Sequence, residues 1–235
     1  MDYVARTSIE VSGIASMATR PILAQLAAQY ERDTGCRVAI TSVGGVEAAR
    51  RVQAGEAFDF VVLASDVIDR LAADGCVDAD GRVDIARSRV AIAVAAGAPR
   101  PDVGSEEAVR DAIRVTGRIG YSTGPSGTHL KRLLERWGIA DSIASRIVQA
   151  PPGVPVAKLI SNGDVDLGFQ QLSELMHVPG VDVVGLLPPA IEVATVFSVA
   201  TCRAMHERHA TVGFIELLVS PHADAVKREH GMEPM

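Results

Sequence analysis

Residues 121–131 read YSTGPSGTHLK, with the tetrapeptide GPSG at 124–127. A glycine-rich turn between an apolar strand and a helix offers free backbone N–H groups and suits an anion; the other reading is a tight connection only. Sharper motifs narrow the choice. A phosphate-binding P-loop needs Gly, four residues, then Gly-Lys-Ser/Thr, whereas Lys131 falls a full turn into the expected helix, so a nucleotide phosphate would lack its lysine. A nucleophile elbow needs G-x-S-x-G, and Ser126 is followed by Gly127 and Thr128 with no closing glycine. Ser126 and Thr128 are left as hydroxyl donors or helix caps. His129, in the first turn of that helix, is the best-placed histidine for general acid–base work, against the reading of an exposed or helix-packed ring.

Gln170 and Gln171 end an apolar strand, where an amide can donate to an anion, orient a carboxylate or cap the chain's own backbone. Neighbours on a strand point to opposite faces, so the two amides should part company. Lys158 follows the loop PPGVP and is a candidate for a pocket, while Arg50 and Arg51 suit a solvated or interlobe role. His177, His206, His209, His222 and His230 show no H-E-x-x-H or comparable spacing, and no metal or other cofactor is called for. Cys36, Cys76 and Cys202 form no CxxC pair and read as small buried hydrophobes.

These residues need elements to hold them. Strand signals at 8–14, 37–41 and 58–63 alternate with helices that begin near Ser16 or Thr19, at Glu47, and after a cap at Ser65 or Asp66, so a parallel sheet is expected. Further strands are expected at 90–96, 118–122, 165–170, 181–187 and 193–200. Helices are expected at 106–113, 129–137, 141–148, 156–162, 211–218 and 221–230. The turns at 14–18, 42–45, 122–128 and 153–156 then lie at carboxyl ends of strands, where open parallel sheets bind ligands and helix N-termini present unpaired N–H groups. Ordinary short βα turns are the alternative for each.

Hydrophobic residues make up 48% of the 235 and aromatics only 4%, so the core must rest on Ala, Val, Leu and Ile. A net charge of −6 argues against a nucleic-acid surface, which needs clustered Lys and Arg. Any anion must be captured locally. No run reaches the roughly 18 apolar residues of a membrane span. The opening MDYVARTSIEVSG lacks the basic start and long apolar run of a leader. The expectation is a periplasmic chain if a signal peptide was removed, and otherwise a cytoplasmic one.

In order, IASMATRP, AARRVQAGEAFDFVVLAS, RSRVAIAVAAGAP, the GPSG loop, VAKLISNGDVDLGFQQLSEL and VATVFSVA span nearly the whole chain. Together they resemble the molybdate-binding branch of the type II periplasmic solute-binding proteins; AGEAFDFVVLAS and NGDVDLGFQQLSEL are the more specific pieces. The resemblance implies an α/β, two-lobed fold with two crossing strands and a ligand cleft between the lobes. Lobe I would be residues 1–88 and 197–235, and lobe II residues 89–196. It implies an oxyanion or carboxylate held by backbone amides and hydroxyls at Ala15, Ser16, Gly44, Gly45, Ser126, Gly127, Gly153, Val154, Gln170 and Gln171. The chain departs from the branch twice. Val43-Gly44-Gly45 stands where serines are common, and Gln170-Gln171 where molybdate binders carry a tyrosine hydroxyl; both departures suit a carboxylate at least as well.

The same resemblance implies a monomer with a small anionic ligand, an ABC permease as partner, no nucleic acid and no membrane insertion. Some proteins resembling this branch are aconitate isomerases. By that likeness, His129 or secondarily Lys158 would remove a proton adjacent to a carboxylate. Small-anion binding is therefore the expected function, isomerisation of a small polycarboxylic acid the alternative, and a ligand-sensing effector domain a third.

Overall fold

The computed structural model describes residues 9–235. Its elements run β1 (Glu10–Ser16), a 3-10 turn (Met17–Thr19), α1 (Arg20–Thr34), β2 (Arg37–Val43), α2 (Gly45–Gln53), β3 (Phe60–Ala64), α3 (Ser65–Ala73) and β4 (Val83–Ala95). Then come α4 (Glu106–Val115), β5 (Ile119–Tyr121), α5 (Pro125–Arg136), α6 (Ala140–Ile143), β6 (Ile147–Gln149), α7 (Val156–Ser161), β7 (Leu167–Gln171) and α8 (Leu172–Leu175). The chain closes with β8 (Val181–Leu186), β9 (Ala194–Thr201), α9 (Arg208–Val219), α10 (Pro221–Glu229) and β10 (Met232–Pro234). Two compact units emerge: residues 9–86 with Val196–Met235, and Arg87–Thr195. The chain leaves the first unit within β4 and re-enters it within β9.

In the first unit the strand order is β2-β1-β3-β9, with β1 parallel to β2 and β3, and β9 antiparallel to β3. Alternate residues serve opposite faces. Val11, Ala15, Phe60 and Val62 join Ile22, Leu23 and Leu26 of α1 and Phe214 of α9. Ile14, Val61 and Leu63 join Ala48 and Val52 of α2 and Ile68 and Leu71 of α3. A sheet covered on both faces explains why FVVLA reads as one apolar run. Each such large side chain contributes about 1.5–3 kcal/mol on burial. A Cβ at Gly13 would lie 2.2 Å from Phe60 Cζ, so the Phe60 ring crosses β1 at the one residue that leaves it room.

A buried carboxylate ties this unit together. Asp59, immediately before β3, accepts from Ser12 N (2.7 Å), Ser12 Oγ (2.9 Å), His206 N (2.7 Å) and Glu207 N (3.1 Å). Burial pushes its pKa up, but these donors outweigh that and hold the carboxyl below its ordinary range. Cys36 and Cys202 are buried and Cys76 is half-buried. Burial, with Asp59 and Cys76 nearby, pushes the Cys202 thiol up to about 12, which leaves it inert at neutral pH.

In the second unit the order is β4-β7-β5-β6, with β5 parallel to β6 and β7 and β7 antiparallel to β4. Val90, Ile92 and Val94 face α4 and α5, whereas Ala91 and Ala93 face α7 and α8. Several expectations needed correction. The helix expected at 129–137 begins a turn earlier, because Pro125 is preset for a first helical position. The helix expected at 141–148 stops at Ile143, and the β-branched pair Ile147-Val148 pairs with β5 instead. Ser65 does not cap α3; Ala64 is the N-cap, and Ser65 Oγ donates to Val196 O at 3.0 Å. Strand β4 starts seven residues before the expected strand at 90–96. Of the strand expected at 8–14, Ser8 lies outside the described residues.

Candidate functional site

In the second unit, β5 ends at Tyr121, and Ser122 and Thr123 lead to Gly124, the N-cap of α5. Ser122 Oγ accepts from Gly124 N (3.2 Å) and lies 3.0 Å from Ser126 Oγ. No side chain caps α5, so neither Ser126 nor Thr128 takes the capping role expected of it; Thr128 Oγ1 turns back to Gly124 O at 3.4 Å. The first intrahelical bond is Thr128 N to Gly124 O (3.1 Å), which leaves the N–H groups of Ser126 and Gly127 without an intrahelical acceptor. A Cβ at Gly127 would fall 1.8 Å from Ser122 O and 2.7 Å from Tyr121 Cδ2. Only glycine lets the first turn lie this close to the strand end.

Strand register brings further candidates to the same end of the sheet. Tyr121 pairs with Phe169 in the parallel β5–β7 ladder, so Ser122 and Gln170 leave adjacent strands side by side. Gln170 is buried and each end of its amide has a partner within the protein: Oε1 accepts from Val156 N (2.8 Å) and Nε2 donates to Glu174 Oε1 (2.7 Å). Gln171, also buried, donates through Nε2 to Thr195 Oγ1 (2.8 Å), and its Oε1 has no partner among the described residues. Gly153 adopts φ +77°, and Val154 donates its N–H to Pro151 O (3.0 Å), closing the turn that leads into α7.

His129 donates through Nε2 to Ile191 O (2.9 Å), which fixes the ring and leaves Nδ1 as the basic nitrogen. Lys158 and Glu174 line a cavity of about 320 Å³ with Ser161 and Asn162. Burial pushes the Glu174 carboxyl up to about 7, with the Gln170 bond pulling the other way.

In the first unit, Ala15 is buried at the end of β1, and Ser16 Oγ accepts from Ala18 N (3.4 Å), capping the 3-10 turn. Its own hydroxyl proton is free to donate. The β1–β2 register pairs Ser16 with Val43, so the Ser16 turn and the Gly44-Gly45 turn emerge together. Gly44 is the N-cap of α2 and no side chain caps that helix either. Arg50 is exposed and pairs with Glu47 (2.7 Å), while Arg51 pairs with Glu56 and lies over Phe58. Among the described residues, no three His, Cys, Asp or Glu come together as a metal-ligand set.

Ser122 lay within the expected 122–128 turn but was not singled out, and Glu174 was missed. Ser122 was legible as the S-x-G of a hydroxyl-braced turn. Glu174 stands four residues after Gln170, but the strand-to-helix junction between them hides that spacing.

Unpaired helix starts at the carboxyl ends of parallel strands in both units define a solute-binding architecture. Residues 11–233 match the family described as bacterial extracellular solute-binding protein, and the chain belongs to that family. It is 33% identical over 217 residues to an aconitate isomerase from a Pseudomonas species, covering 90% of this chain and 82% of that one. Among solved structures it resembles the periplasmic molybdate-binding protein of Azotobacter vinelandii, with a TM-score of 0.80, 19% identity, and 94% and 98% of the two chains covered. The sulfate-binding protein SubI of Mycobacterium tuberculosis H37Rv gives a TM-score of 0.76 at 14% identity, over 97% and 87%. The fold is thus the two-lobed α/β fold of periplasmic binding proteins. Among the described residues no helix is long and apolar enough to cross a membrane.

Proposed function

We propose that this protein binds a small anion, a carboxylate in preference to a tetrahedral oxyanion, through neutral donors. The observation that carries the reading is the first turn of α5, where two free N–H groups stand beside the paired Ser122 and Ser126 hydroxyls with no side chain capping them. Gly153 and the second Nε2 proton of Gln171 in this unit, and Ala15, Ser16, Gly44 and Gly45 in the first, are the further candidate contacts; the Val154 N–H is spent on Pro151 O. Gln170 acts as scaffold, since both ends of its amide are spent within the protein. The glycines at 44–45 and the amide at Gln171 supply no row of hydroxyls for a tetrahedral ion, which favours a planar carboxylate. Secretion, a monomeric state and delivery of the anion to a membrane permease complete the reading. Titration calorimetry with molybdate, tungstate, sulfate, phosphate, citrate and both aconitate isomers tests it. A micromolar-class carboxylate is expected, and silence across the panel overturns it.

A second reading is favoured by one observation, the 33% identical aconitate isomerase. Isomerisation moves a double bond: a base removes a proton from the carbon adjacent to one carboxylate, and an acid returns a proton to another carbon. His129 Nδ1 is the candidate base, because Nε2 is held by Ile191 O. The α5 N–H groups would hold the charge that develops. An absorbance change on mixing with trans-aconitate supports this reading, and a flat trace removes it.

A further inference from the structure

Gln170 forms a two-ended bridge. Its Oε1 holds the first N–H of α7, and its Nε2 holds the Glu174 carboxyl, so the start of α7 and that carboxyl share one buried amide. Glu174 in turn lines the cavity between α7 and α8. We infer that Glu174 is a proton-linked positioning residue: acting through the Gln170 amide, it sets the hold on the start of α7 and couples proton uptake in the α7–α8 cavity to anion binding at the preceding Gly153–Val154 turn. The second half of this inference rests on the function proposed above.

The charges around Glu174 are few. Lys158 of α7 lines the same cavity; β7 brings no charged side chain; β8 brings Asp182, which accepts from Gly97 N (3.1 Å); exposed His177 follows α8. Among the described residues an ionised carboxylate here has one side-chain donor, Gln170, where solvent would supply several. Burial pushing this carboxyl up to about 7 agrees with that shortage. An anion arriving at the neighbouring turn adds a like charge and favours the neutral acid, so binding takes up a proton. By reciprocity the proton tightens binding. The folded pKa is raised, so affinity is highest below 7 and declines as pH rises through it.

The test uses the full chain and two readouts. The first is the Val156 backbone amide resonance, followed by NMR from pH 5.5 to 8.5 without ligand. It should titrate with a midpoint near 7, and Glu174→Gln, whose side-chain carbonyl still accepts from Gln170, should be flat. Lys158→Met, which leaves the bridge intact and removes a neighbouring positive charge, should move the midpoint up. The second is calorimetry with citrate and trans-aconitate at pH 6 and pH 8. Wild-type affinity should fall about fivefold or more, the low end for coupled sites, while Glu174→Gln should bind at both pH values as the wild type does at pH 6. A flat Val156 resonance in the wild type overturns the proposal, as does an equal pH dependence of affinity in wild type and Glu174→Gln. A titrating Val156 with no anion bound overturns the coupling and the proposed function, and supports the proton-linked hold on α7.

Discussion

Asp59→Asn is the most demanding stability test that the structure offers. The carboxylate is 3% exposed and receives four donors, three of them backbone N–H groups from β1 and the segment entering α9. An asparagine carbonyl can keep the donors on one side, but its NH2 group then faces donors on the other. Two charge-assisted bonds are lost, and hydrogen bonds to charged groups contribute about 1.5–3 kcal/mol each, so the cost is about 3–6 kcal/mol. For a chain of this size each kcal/mol moves Tm by about 2–4 °C, giving a fall of roughly 6–24 °C. Urea unfolding monitored by circular dichroism reads the free energy directly, with the m-value as a check on two-state behaviour. The folded pKa is depressed, so the stabilisation is complete above the ordinary aspartate value near ~3.9 and is lost as pH falls through the lower folded value. The variant should therefore lose less stability than the wild type as pH falls through that window. A variant within about 1 kcal/mol of wild type at pH 7, with the wild-type slope in acid, would refute the reasoning.

Three more outcomes follow from the geometry. Gly127→Ala pushes a Cβ against Ser122 O, displaces the first turn of α5, and should weaken anion binding about 100-fold by calorimetry; unchanged affinity would separate the turn from the ligand. Gln170→Leu strands Val156 N–H and Glu174 and should cost about 2–5 kcal/mol in urea, whereas Gln171→Leu strands only the Thr195 hydroxyl, should cost about 1–3 kcal/mol and should also weaken anion binding. His129→Ala should lower turnover of trans-aconitate by about 100-fold or more with binding retained, and equal turnover takes His129 out of the mechanism.

Much of the frame was legible because it depends on local signals. Pro21 followed by Ile22, Leu23 and Leu26 marks α1, and the unbroken FVVLA run requires a strand covered on both faces. The order of the turns at Ser16, Gly44-Gly45, Ser126-Gly127 and Gln170-Gln171 could be read along the chain, but their grouping within each unit depends on parallel register, which one sequence does not encode locally. Which amide is spent was also hidden: Gln170 and Gln171 are chemically identical, and only tertiary partners make one a scaffold and leave the other with an open acceptor. Asp59 escaped notice for the same reason, since its donors are 47 and 147 residues away. The segment 141–148 misled because helical composition lost to the pairing of Ile147 and Val148 with β5.

In the function proposed above, the first turn of α5 holds the anion. A crystal structure of the protein with the tightest-binding carboxylate of the panel tests it most directly. Carboxylate oxygens are expected within about 3.2 Å of the Ser126 and Gly127 N–H groups, with a Ser122 or Ser126 hydroxyl completing the contact. Density for the ligand elsewhere, with those two N–H groups bonded only to water, would contradict it.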